Sequence, residues 1–318
     1  MTNNELWLTW RGVNGDEQIW SSVAPPSEPS PDGPQWSPAA PLPGASSSHA
    51  PSTAYDRFNP SDHRLMIWKG TTGTQQIFGN AFSPTALGGP SGAFVATGRP
   101  GVAAVEGRIV IAWRDPNDDL VWAEGDRQGR WSDARPTGGR TSHGPAMVVA
   151  SRTVFMVWKA LDSEQIWWAS LRPDATGWGQ ASPLPVEAGA AMTSDVPALT
   201  ATGNGLAMAW KGVQADPGIW WSEWSGGGRP WLAPTPVKPS AGAIMTSHGP
   251  ALTILRTEPI LAWKGFGGDQ RLWWSRPEGN GLWAAPRVVD PGINSFASPA
   301  LLAFPVGTDD VVSVPISD

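Results

Sequence analysis

Two sets of side chains in this chain have types and spacings that could do chemistry. The first is Trp followed directly by a cation. It occurs six times: Trp10-Arg11, Trp68-Lys69, Trp113-Arg114, Trp158-Lys159, Trp210-Lys211 and Trp263-Lys264. An exposed indole stacks on the apolar face of a sugar ring, and a neighbouring Lys, Arg or Asp hydrogen-bonds its hydroxyls, so such pairs suit a small polar ligand. The second set is histidine. Of four, three (His49, His143 and His248) stand two residues before a Pro that opens a short apolar run; the same position holds Gly98, Asp195 and Ala297 elsewhere. Three imidazoles converging on one point could hold a divalent metal with an open position, with Asp195 as a further ligand or as an orienting group.

Whether these groups converge depends on the elements that carry them. The Trp-cation pairs are separated by 58, 45, 45, 52 and 53 residues. Blade-type repeats run at about 40–50 residues. The apolar runs are short and alternate, as in Leu6, Leu8, Trp10 and in Leu206, Met208, Trp210. That is strand periodicity, and Gly, Pro, Asn and Asp between the runs supply the turns. Each unit then holds four strands. Strand a follows Pro51, Pro100, Pro145, Pro197, Pro250 or Pro299, and strand b ends at the Trp-cation pair. Strand c carries an Ile-Trp signature (Ile19-Trp20, Ile77-Phe78, Val121-Trp122, Ile166-Trp167-Trp168, Ile219-Trp220-Trp221, Leu272-Trp273-Trp274). Strand d begins near Trp36, Phe82, Trp131, Trp178, Trp231 or Trp283. Four antiparallel strands repeated radially make a β-propeller.

The ends fix the count. The chain opens on a strand b at Leu6–Trp10, and Ser295–Phe304 reads as a strand a with no unit of its own. Pairing the two closes the ring and removes two exposed sheet edges. The expectation is an all-β, six-bladed propeller forming one domain over residues 1–318. Asp310–Ile316 resembles a degenerate strand b, which keeps seven blades as the alternative. The Pro-rich stretch 21–34 is an insertion in the first unit, because the repeat resumes in phase after it.

Composition narrows the partners. The net charge is −6 and no basic stripe appears, which argues against nucleic acid. There are no cysteines, hence no disulfides and no thiolate metal site. No apolar run approaches a membrane span, and the start MTNNELWLTWRG lacks a signal peptide's basic and apolar regions. The expectation is a protein of the cytoplasm, or one exported without a leader. Tryptophan is the anomaly, with 21 against 8 Phe and 1 Tyr. It suits blade-to-blade packing as well as stacking on a ligand.

The pattern TSHGPAL…LAWKG…D..LWWS of residues 246–275 resembles the Trp-rich propeller lectins of bacteria and fungi, among them the fucose-binding kinds. The resemblance spans nearly the whole chain as a repeat. It implies several sugar sites in clefts between blades. Units two, three and four depart from the pattern, with Phe78 for Trp, Asp115-Pro116 after Arg114 and Ala160 after Lys159, so their clefts are expected to be empty.

Two readings of the Trp-cation pairs stay open. In one, the Trp packs between blades and the cation pairs with the Asp of its own b–c turn, six residues after the Trp (Asp16, Asp216, Asp269), or with a neighbour's. In the other, the pairs line interblade sites built from Trp10, Arg11, Trp68, Lys69, Trp158, Lys159, Trp210, Lys211, Trp263 and Lys264. The doubled strand-c Trp puts one indole on each sheet face, which adds Trp221 and Trp274. The expected function is a lectin whose partners are glycans or another small polar ligand, with no required cofactor. One alternative is an enzyme using the central channel through His49, His143 and His248, with or without a divalent metal, and Asp195 beside them. The other is a protein-interaction scaffold. No catalytic residue is assigned. Ser247 beside His248 has no acid placed to complete a triad, and Gly203-Asn204-Gly205 is a hairpin turn. Arg99 and Arg140 lie near the start of strand a, where an anion-binding mouth is one reading and a solvated surface the other.

Overall fold

The computed structural model describes residues 3–25, 33–56, 63–79 and 84–306. They form six four-stranded antiparallel sheets and two small two-stranded ribbons. From inner to outer strand, the first blade runs Ala300–Val306, Asn3–Arg11, Gln18–Ala24 and Ala40–Ser46. The second runs Ser52–Tyr55, Arg64–Lys69, Ile77–Gly79 and Thr85–Ala86; the third, Gly101–Val105, Arg108–Arg114, Asp119–Gly125 and Arg135–Arg140. The fourth runs Ala146–Ala150, Thr153–Lys159, Ile166–Leu171 and Ser182–Pro183; the fifth, Ala198–Thr202, Gly205–Lys211, Ile219–Trp224 and Thr235–Pro236. The sixth runs Ala251–Leu255, Glu258–Lys264, Leu272–Ser275 and Arg287–Val288.

The six inner strands contact one another in a closed cycle, each touching the inner strand of the next blade. The fold is therefore a six-bladed β-propeller. Closure uses both ends of the chain: Leu6 pairs with Ala303, Leu8 with Leu301 and Thr9 with Ala300. The possible seventh unit at 310–316 lies outside the described residues, as do Phe82 and part of the 21–34 insertion. No helix of the described residues is long and apolar enough to cross a membrane.

Local chemistry matches this path. The a–b hairpins of blades three and four turn through two residues with positive φ, Glu106-Gly107 and Ser151-Arg152. Such primed turns match the right-handed twist of the strands they join. Strand b is the best covered element: all seven residues of Gly205–Lys211 are buried. Its alternate side chains face the blades on either side, so the core is divided into six clusters, one per seam. Trp10 sits at the seam of blades six and one, Trp68 at one and two, and Trp113 at two and three. Trp158 sits at three and four, Trp210 at four and five, and Trp263 at five and six.

Each of these six indoles is 1–2% exposed. Removing one leaves a cavity that two rigid sheets cannot close. Trp210→Ala is expected to lower unfolding free energy by about 3–5 kcal/mol, whereas Leu232→Ala, at a side chain 49% exposed, should stay within about 0.5 kcal/mol. Denaturant unfolding of both variants checks this.

Candidate functional site: the blade seams and the channel mouth

The strand-b indoles are seam cores, so Trp10, Trp68, Trp158, Trp210 and Trp263 have no face open to a ligand. Trp274 is only 4% exposed and joins the same layer. The accessible aromatics lie one strand further out. Directly across from the strand-b indoles stand Trp20, Phe78, Trp167, Trp220 and Trp273, all half-buried, with Val121 in the third blade. The doubled Trp divides between two seams as strand alternation requires. Trp167 packs at the seam of blades three and four and Trp168 at four and five. Trp220 packs at four and five and Trp221 at five and six.

Three of these outer indoles share an anchor absent from the sequence-based site. Trp20, Trp220 and Trp273 each donate the indole N–H to the carboxylate four residues earlier, Asp16, Asp216 and Asp269, at 2.8 Å. The other oxygen of each carboxylate accepts the backbone N–H two residues on, from Gln18, Gly218 and Arg271, at 2.8–3.0 Å. The carboxylate fills the space beside Gly12, Gly212 and Gly265, where any Cβ would collide with it. The Gly that follows the Trp-cation pair is thus a requirement of the Asp clamp. In blade six, Arg271 lies 4.8 Å from the Trp273 ring centre and pairs with Asp269.

The expected pairing of Asp with the cation does not form in these blades. Lys211 and Lys264 instead donate to the backbone oxygens of Asp216 and Asp269, both at 3.3 Å. The four lysines of the Trp-cation pairs are buried, and each donates to a serine hydroxyl just ahead of its own inner strand. Lys69 reaches Ser48 at 2.8 Å, Lys159 reaches Ser142 at 3.0 Å, Lys211 reaches Ser194 at 2.7 Å and Lys264 reaches Ser247 at 2.9 Å. Burial holds the Lys69 and Lys264 ammonium groups below their usual range, and Glu17 and Asp269 respectively oppose this in part. Where the cation is Arg, the serine is replaced. Arg11 stacks on Phe296 at 4.4 Å and lies 3.7 Å from Glu17, while Arg114 pairs with Asp118.

The same serines hold the histidines. His49, His143 and His248 each place Nδ1 2.9 Å from Oγ of Ser48, Ser142 and Ser247. Ser48 and Ser247 donate their hydroxyl protons to the carbonyls of Gly70 and Gly265, at 3.0 and 2.8 Å. The lysine takes one lone pair of the oxygen, so the imidazole must supply a proton to the other. This hydrogen count assigns the Nδ1–H tautomer and leaves Nε2 as an acceptor.

The three rings alternate with Gly98, Asp195 and Ala297, as six blades require. They do not gather round one point: among the described residues no three His, Cys, Asp or Glu side chains come close enough to hold a metal ion together. Asp195 lies between His143 and His248, and its Oδ1 accepts the backbone N–H of Val196 at 2.6 Å. Arg140 is on the rim, where it donates to the Asn117 carbonyl and lies 3.4 Å from Asp119. Arg99 points elsewhere, into the channel.

Burial pushes the His49 imidazole from 6.5 down to about 4, and the charges of Lys69 and Arg11 add to this. Burial also lowers His143 and His248, with Asp195 opposing it. A base whose folded pKa is depressed stays neutral in the native state while the unfolded chain takes up a proton. Stability from this source is therefore complete above pH 6.5 and falls as pH drops towards about 4. For His49 the loss is on the order of 1–3 kcal/mol. NMR titration should show the His49 ring neutral at pH 5.5, and His49→Gln should flatten the decline of thermal midpoint between pH 6.5 and 4.5; a His49 midpoint near 6.5 would overturn the assignment.

No protein-family profile matches the sequence, and no curated protein matches it. Solved structures do match. The fucose-specific lectin from Aleuria aurantia superposes with a TM-score of 0.61 at 12% identity, covering 92% of this chain and 93% of that one. The BP39L lectin from Burkholderia pseudomallei gives 0.62 at 14%, covering 94% and 85%. TolB from Acinetobacter baumannii gives 0.56 at 12%, covering 94% and 66%. At these identities the likeness establishes the fold: the chain is a six-bladed β-propeller of the architecture described for the Aleuria lectin.

Proposed function

We propose that the protein binds carbohydrate at three of its seams, those between blades four and five, five and six, and six and one. One observation carries this reading. Each of these seams presents half-buried indoles beyond its buried core, and in each one indole is fixed by an Asp. At the first of them Trp168 and Trp220 pack on the same cluster, with Trp224 beside Trp168 at 5.5 Å. At the second it is Trp221 and Trp273, with Arg271 against the Trp273 ring. At the third it is Trp20 and Trp36.

An indole whose N–H is already satisfied and whose ring is pinned offers its face without an entropic cost of ordering. Stacking on a pyranose needs that face, and the surrounding Asp, Glu and Arg groups can meet the hydroxyls. Trp221 donates to Glu223 at 3.2 Å and Arg271 is exposed, so the second seam has both an acceptor and a donor at its edge. The seams of blades one and two and of two and three lack the Asp-held indole; Phe78 and Val121 stand there. Three equivalent weak sites on a rigid ring gain affinity against a glycan-coated surface through avidity.

The fucose-specific Aleuria lectin of like fold makes α-fucosides the first probes. A glycan array should show binding, and monosaccharide should quench Trp fluorescence saturably. Trp220→Ala and Trp273→Ala should each remove one site and cut avidity roughly tenfold or more, with a smaller loss of thermal midpoint than Trp210→Ala, because each indole is only half-buried. Silence across a broad array would end the lectin reading.

A further inference from the structure

We propose that the central channel holds one small carboxylate, its head group on Arg99 and its short carbon chain against the opposing inner strands. The channel encloses about 60 Å³ and is lined from all six inner strands. That is room for roughly four waters. Arg99 is the one charged residue of the lining. Ser52 and Thr53 stand beside it with hydroxyls, and the rest of the wall is apolar, including Val102, Met147, Leu199, Leu252 and Leu301.

The guanidinium is aimed. Ser52 donates its hydroxyl to the Pro100 carbonyl at 2.5 Å, so its lone pair is free to accept Arg99 Nε–H at 2.7 Å. Held by Nε, the planar fork leaves both terminal NH2 groups without a protein acceptor among the described residues. No carboxylate lies within ion-pair distance of it among those residues. Asp195 is near enough to favour the charged form, yet its Oδ1 is turned to the Val196 N–H. Burial pushes Arg99 down to about 10, which still leaves it charged at neutral pH.

A half-buried cation facing an apolar wall, with no carboxylate in ion-pair distance among the described residues, is costly, and a partner that neutralises it offsets that cost. The fork matches a carboxylate bidentately. A sulfate or phosphate would bring a second charge against the apolar wall and Asp195, and a polyol would bring no charge. The facing leucines and Met147 suit an alkyl group, so the fit is to an acid of roughly two to four carbons, given the cavity size. The ring of buried lysines near the channel mouth biases the potential toward anions, as clefts lined by one sign of charge do.

The test is isothermal titration of the full chain with sodium acetate and sodium propionate, ionic strength being held with sodium gluconate, whose anion is too bulky for the channel. One saturable site per chain is expected, weakened about tenfold or more in Arg99→Met, with glycan binding by that variant unchanged. Absence of saturable heat with either acid, or equal affinity in Arg99→Met, overturns the proposal. Should that variant fail to fold, the wild-type melting curve decides. Acetate and propionate must raise the midpoint over gluconate in a saturating manner, and coincident curves would count as refutation.

Discussion

Burial of six indoles between blades is the constraint on which the structure depends. A four-stranded sheet has two faces, and in a closed ring both must be covered by neighbours. The space between twisted sheets widens outward, so a large, flat, stiff side chain is needed a strand away from the axis. Tryptophan meets that need, contributing roughly 4–6 kcal/mol by area burial of about 150–250 Å² each. The ends of the chain are subject to the same demand. Leu6, Leu8 and Trp10 have a seam to fill only once Ala300–Val306 has paired beside them.

The cation after each Trp follows from that placement. Successive strand residues point to opposite faces, so burying the indole forces the next side chain into the blade's other face, close to the axis. A lysine there cannot reach water and must be met by oxygens. The serine ahead of the inner strand and the carbonyls of the b–c turn supply them. Arginine solves the same problem differently, through Phe296 in one blade and Asp118 in another, and in both the serine is gone. Cation and serine change together from unit to unit because they are two halves of one contact. The histidine depends on that contact as well, since its Nδ1–H takes the last lone pair of the serine.

The architecture was legible because it is written many times over. Period, strand alternation and the unmatched strands at Leu6–Trp10 and Ser295–Phe304 each repeat or complete one module. The site was less legible because residue type does not report depth. Trp210 and Trp220 face each other across a strand pair, yet one is core and the other half-open. A signal did exist: Asp16, Asp216 and Asp269 lie four residues before the outer indole as well as six after the inner one. The nearer partner, a neutral N–H, takes the carboxylate because the cation is already met elsewhere, by carbonyls and a serine at Lys211 and Lys264 and by Phe296 and Glu17 at Arg11. Arg99 was ambiguous for another reason. Its position beside Pro100 looks like a rim, and only closure of the six inner strands turns that rim into a cavity wall.

Symmetry separates the two kinds of site. A feature carried by the repeated module appears on several blades, and the Asp-held indoles recur in blades one, five and six. The proposed seam sites inherit that repetition, which is why they are several and alike. A ligand on the axis meets all six modules at once, so it is recognised by what one module has and the others lack. At the position before the Pro, five blades carry Ala50, Gly144, Val196, Gly249 and Ser298, none of them charged, and the third carries Arg99. The departure places a single cation at the one place where six copies converge, so the proposed carboxylate would bind once per ring and independently of the seams.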